Sequence, residues 1–218
     1  MKALISLALA LAASTAAVAA PVTSNVTVDG FAYGSRSVEY DTNKADGLAA
    51  AGGFNITSGN QSFLAYCIEL TQNTYFGAIN TYTSLSPSSY FSSSKVSTDL
   101  GRLFGTFGSS INTTDESAAF QMAVWEIVYE NGNGNNKYDV TKGSAQFNSF
   151  SAVETQANYY LSHLGNTSSS LTVFSNGKYQ DLIAAVVPTS PVPEPSSIAL
   201  IGAGLAALGF VARRKKAN

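Results

Sequence analysis

The 218-residue sequence holds one cysteine, Cys67, and one histidine, His163. A single cysteine rules out an intrachain disulfide, and one of each is too few for a metal site built on cysteine and histidine. Oxygen ligands fare little better. The loop "GNGNNKYD" lacks the regular Asp/Asn spacing and the closing Glu of an EF-hand, so no metal and no cofactor is expected. Hydrolase chemistry is poorly supplied too. There is no G-x-S-x-G, and a Cys67–His163 pair or a serine triad would have to use a histidine in the helix-like segment "YYLSHL". Charge is also scarce, at 12% of residues, and no basic patch interrupts the body of the chain. That argues against binding a phosphate backbone, and no nucleic-acid partner is expected.

What is present begins at the ends. Lys2 opens the chain, a short apolar run follows, and Ala17-Val18-Ala19 forms an A-x-A site. This is the pattern of a secretory signal peptide over residues 1–19, to be removed by signal peptidase. The other end reads "VPEPSSIALIGAGLAALGFVARRKKAN". Residues 188–197 form a proline-rich linker, 198–212 an uncharged apolar run, and 213–218 a basic tail. At about 1.5 Å per residue the run spans roughly 22 Å, somewhat short of a hydrocarbon core of about 30 Å. Flanking serines and snorkelling basic side chains make up the difference. Arg213 and Arg214 lead the basic cluster, which stays cytoplasmic and leaves the body outside.

The order Pro193-Glu194-Pro195, apolar helix and basic cluster resembles the PEP-CTERM sorting signal of Gram-negative bacteria. The resemblance covers about the last 27 residues. It implies an inner-membrane precursor, recognition by an exosortase, and release to the cell surface or to an exopolysaccharide (biofilm) matrix.

Residues 20–187 remain as one extracellular domain. With Glu194 of the linker counted, the mature part keeps seven of the twelve basic residues against all fourteen acidic ones, a net charge of about −7. Its first part alternates: "NVTVDGFAYG", "RSVEYD", "GGFNIT" and "SFLAYCIEL" read as strands. Its middle is helical. Leu100, Leu103, Phe104 and Phe107 recur at helical spacing. Thr113 and Glu116 make a capping box for a second helix, which carries Phe120, Val124, Ile127 and Val128 and ends at Asn131-Gly132. A short strand is expected at Tyr138 to Thr141 and a third helix at Ala152 to Leu164. Strands return at Leu171 to Phe174 and Tyr179 to Val187, around the Asn176-Gly177 turn. The pattern predicts an α+β fold: a β-rich, sandwich-like part with an inserted helical subdomain.

Two polar or reactive residues stand in apolar company. On an ideal strand Leu64, Tyr66, Ile68 and Leu70 form a uniformly apolar face, which places Cys67 on the other, more mixed face beside Glu69. The thiol is then an inert buried residue, half of an intermolecular disulfide, the carrier of an adduct, or a group tied up within the chain. Gln121 interrupts "AAFQMAVW" one turn before Trp125, and a buried amide there needs partners.

"YCIEL" and "FQMAVWEI" together resemble the paired Cys and Gln signatures of bacterial thioester domains, found on Gram-positive surface adhesins. Phe120 stands where those members often have Thr. The resemblance covers about residues 60–165 and implies an internal thioester between Cys67 and Gln121, shielded by Tyr66 and Trp125. Glu69 or Glu126 would assist proton transfer, although on an ideal helix Glu126 points away from Gln121. The implied function is single-turnover capture of a surface amine, which is adhesin-like and not enzymatic. The alternative is a non-covalent structural protein of the polysaccharide matrix.

Overall fold

The computed structural model describes residues 22–130 and 138–185. The expected signal peptide, the linker with Pro193-Glu194-Pro195, the transmembrane run and the basic tail lie outside the described residues. Among the described residues no helix is long and apolar enough to cross a membrane.

Six strands come first: β1 (Val22–Phe31), β2 (Arg36–Thr42), β3 (Asp46–Ala51), β4 (Phe54–Ser58), β5 (Gln61–Cys67) and β6 (Ile79–Leu85). Three helices follow: α1 (Pro87–Tyr90), α2 (Ser94–Phe107) and α3 (Thr114–Tyr129). After them come β7 (Ala145–Asn148), α4 (Ser151–Ser162), β8 (Thr172–Ser175) and β9 (Leu182–Ala184). The helical segment is therefore inserted between strands, as expected. The strands do not form a sandwich. Six of them close a barrel in the order β1-β4-β5-β9-β8-β6, and β3-β2-β7 form a separate three-stranded sheet. Closure depends on the last two short strands, which slot between β5 and β6 so that no barrel strand is left with a free edge.

Other local expectations shift. Tyr138 to Thr141 is not a strand but leads into a turn, and the strand lies at β7, paired with β2 through Tyr40↔Phe147. The last strand covers only Leu182–Ala184, because Asn176 and Asp181 fold the preceding residues into a hydrogen-bonded loop. β3 and β6 carry no clear alternation in sequence and form through pairing with their neighbours.

Helix α3 is the centre of the molecule. Thr113 accepts from the Glu116 N–H, and Glu116 Oε2 accepts from the Thr113 N–H, which completes the capping box. The helix ends at Tyr129 with Glu130 as its cap, slightly before the Asn131-Gly132 stop read from sequence. Nearly every residue from Ser117 to Tyr129 is buried, because the barrel strand β5, the small sheet and helices α2 and α4 all pack on it. A helix apolar on all sides is what such a position demands. Phe120 meets Tyr66 of β5 at 4.6 Å and Phe104 of α2 at 5.0 Å, and Trp125 stacks on Phe147 of β7.

Candidate functional site

β4 ends at Phe54, opposite Ala65 of β5. Two residues further along, Cys67 has run past that partner strand, and its main-chain groups on that side need other partners. Gln121 of α3 supplies both. The Cys67 N–H donates to Gln121 Oε1 at 2.9 Å, and Gln121 Nε2 donates to the Cys67 carbonyl at 2.8 Å. The two residues implied by the sequence resemblance, 54 positions apart, are thus in direct contact and buried. Neighbouring groups tie down the same strand end. The Leu70 N–H donates to Tyr129 Oη, the Ile68 N–H to the Asp181 carbonyl, and Gln180 Nε2 to the Glu69 carbonyl.

The two faces of β5 differ from expectation. Tyr66 does point to the core, packing on Phe104 and Phe120. Cys67, however, is 1% exposed and no less buried. The register explains this. Cys67 pairs with Leu182 and Ala65 with Ala184, so that face looks into the closed barrel, which a single strand cannot announce. The thiol donates to the Glu69 carbonyl at 2.7 Å, and the Glu69 N–H approaches the sulfur at 3.4 Å. Burial pushes the thiol pKa up to about 12. The Trp125 indole and the Glu69 main chain act against that rise, and the charges of Glu69 and Asp181 add to it.

The proposed helpers separate. Trp125 lies beside the sulfur, whereas Tyr66 stands on the opposite face of the strand and walls off the Phe120 side. Glu69 reaches the thiol through its main chain, and its carboxylate turns to the N–H of Thr71. Glu126 is not at the site. It is fully buried about a turn and a half on, where Oε1 accepts from the Asp139 N–H at 2.9 Å, and burial lifts its pKa to about 8. His163 sits exposed at the end of α4, stacked on Tyr159, and takes no part in the Cys67 contacts. Tyr129, Gln180 and Asp181 were missed. Tyr129 shares the helical face of Gln121 and Trp125 at four-residue spacings and was discoverable, but Gln180 and Asp181 reach the site only through barrel closure.

A pocket of about 350 Å³ opens beside the strand end, lined by Ile68, Glu69, Tyr90, Phe91, Tyr129 and Lys44 among others. It places a carboxylate-bearing residue and several rings next to the Cys67 turn. Among the described residues no acidic, cysteine and histidine group is arranged to hold a metal ion.

Three comparisons bear on this geometry. Residues 191–215 match the PEP-CTERM protein-sorting motif. No curated protein matches the chain. Among solved structures the chain is similar to the thioester domain of the Staphylococcus aureus TIE protein, at 12% identity with a TM-score of 0.50, covering 78% of this chain and 95% of that one. At that identity the likeness shows a thioester-domain-like fold. The sorting motif marks an exported, membrane-anchored precursor sorted to the cell surface and implies processing by exosortase.

Proposed function

We propose that Cys67 and Gln121 close an internal thioester, with which this exported protein attaches covalently to an amine-bearing target. The observation that carries the reading is the two-point clasp of the Gln121 carboxamide by the main chain of Cys67. Contact of this kind supplies the effective molarity that an uncatalysed acyl exchange needs.

The atoms balance in two steps. The Cys67 sulfur attacks Gln121 Cδ and gives up its proton. Ammonia carrying that proton leaves from Nε2, and a C–S bond replaces a C–N bond. The Cys67 N–H, already 2.9 Å from Oε1, stabilises the oxyanion of the tetrahedral intermediate. Loss of Nε2 takes the donor from the Cys67 carbonyl. A primary amine that then attacks Cδ restores an N–H at that place, breaks the C–S bond and returns the proton to sulfur. The new amide thereby recovers the buried hydrogen bond that the thioester gives up. Burial, which pushes the thiol pKa up to about 12, makes the sulfur a poorer leaving group and so slows exchange of the closed form. The pocket at Ile68, Glu69 and Tyr129 is the approach that suits that amine. Each molecule reacts once, so the protein is a reactive binder and not an enzyme.

A second reading is a non-covalent protein of the extracellular polysaccharide matrix. Complete hydrogen bonding of Gln121 equally suits a structural glutamine, and Tyr75 (57% exposed) beside Tyr179 offers an aromatic surface for sugars. Intact mass of the mature protein separates the two. The thioester predicts a mass short by one ammonia, restored and extended by methylamine, and absent in Cys67→Ala and Gln121→Ala. A full mass with no methylamine adduct would transfer the proposal to the matrix reading.

A further inference from the structure

The indole of Trp125 is 1% exposed, held by stacking on Phe147, and its Nε1–H is buried with no hydrogen-bond partner. A buried indole N–H ordinarily finds an acceptor. No hydrogen bond joins this one to the Cys67 sulfur, yet the indole is close enough to favour the anionic form of the thiol. The Glu69 N–H approaches the same sulfur at 3.4 Å, while the thiol proton points away to the Glu69 carbonyl at 2.7 Å. The thiol proton is thus committed to the Glu69 carbonyl, while a sulfur lone pair meets the Glu69 N–H and the unpartnered indole N–H lies nearby. Neutral thiol and thioester sulfurs are weak acceptors, and a thiolate is a strong one.

We propose that Trp125 Nε1–H and the Glu69 N–H form a two-donor cradle that stabilises the Cys67 sulfur as it becomes anionic, which makes Trp125 a catalytic residue of thioester exchange and more than a shield. The catalytic use of the cradle rests on the thioester reading; the cradle itself does not. In aminolysis the C–S bond breaks, the electron pair stays on sulfur against the two donors, and the proton lost by the attacking amine then neutralises it. The indole N–H gains its full partner only as charge develops, so it favours the transition state over the resting acyl group.

The sign of one substitution tests this. Trp125→Phe keeps a ring and removes the N–H. With starting thioester content matched by intact mass, the cradle predicts methylamine aminolysis slowed tenfold or more, on the order of one lost donor. A shield alone predicts faster reaction, and an equal or faster rate overturns the proposal. A second readout leaves the tryptophan in place. The chain has one tryptophan, so the indole N–H gives a single proton–nitrogen correlation in the NMR spectrum. It should move on Cys67→Ala and again when methylamine opens the thioester; a resonance indifferent to Cys67→Ala sinks the cradle. Should the wild-type mass show no ammonia loss, the thioester reading fails on its own. The cradle is then judged by iodoacetamide alkylation in the Gln121→Ala background, where adding Trp125→Phe must slow the thiol at least threefold.

Discussion

Two turns of helix α3 bury a polar side chain each, and they solve the problem differently. Gln121 is neutral, and both of its amide atoms are matched to the main chain of one residue of β5. Glu126, one turn and a half on, has Oε1 matched to the Asp139 N–H while Oε2 is buried without a partner. The first pocket accepts a carboxamide at little cost and holds it against the main chain of the thiol-bearing residue. The second holds a carboxyl whose ionisation is resisted by burial and by the neighbouring charges of Glu130 and Asp139. The lesson is that the turn that meets Cys67 is the well-satisfied one. Placement of a neutral carboxamide, and not of a charged residue, is what this helix brings to the Cys67 main chain.

Exchanging the two chemistries breaks the comparison most severely. Gln121→Glu sets a carboxylate against the Cys67 carbonyl with no donor for it, and should cost about 3–5 kcal/mol of stability at neutral pH. Denaturant unfolding measures this, and a loss below about 1 kcal/mol would contradict the clasp. Next comes Glu126→Gln. In the folded protein Glu126 keeps its proton up to about pH 8, against an ordinary value of 4.5. The folded state thus binds more protons than the unfolded chain between those values. The contribution of this group is greatest below pH 4.5 and falls as pH rises to about 8. Wild-type Tm should decline through that window, and Glu126→Gln, which retains an acceptor for Asp139, should remove that part of the decline. An identical pH profile in both proteins would refute the assignment. The smallest effect is at the start of the helix. Thr113→Ala opens the capping box and should cost about 1 kcal/mol without altering thioester content by mass.

Legibility in the sequence followed range. The capping box at Thr113 and Glu116 and the apolar run through Ile127 were readable because a helix is set by residues three and four apart. The contact between Cys67 and Gln121 was readable as well, from short motifs and from the oddity of a thiol and an amide in apolar company. Cys67's surroundings were misread because strand alternation names two faces and cannot say that both are covered. The sandwich expectation failed for a related reason. β8 and β9 are four and three residues long, and nothing within them reveals that they join β6 to β5.

The sequence by itself determined the sorting motif at residues 191–215, the helix that carries Gln121, and the pairing of one thiol with one carboxamide as the chemistry to look for. These are local patterns or unique residues, and need no partner to be seen. Only the tertiary structure decided that β5 outruns β4 so that Gln121 must complete its ladder, that the thiol faces a closed barrel, and that Trp125 buries an N–H without a partner. Each of these depends on register between segments far apart in the chain, and register is settled when the whole barrel buries its faces together.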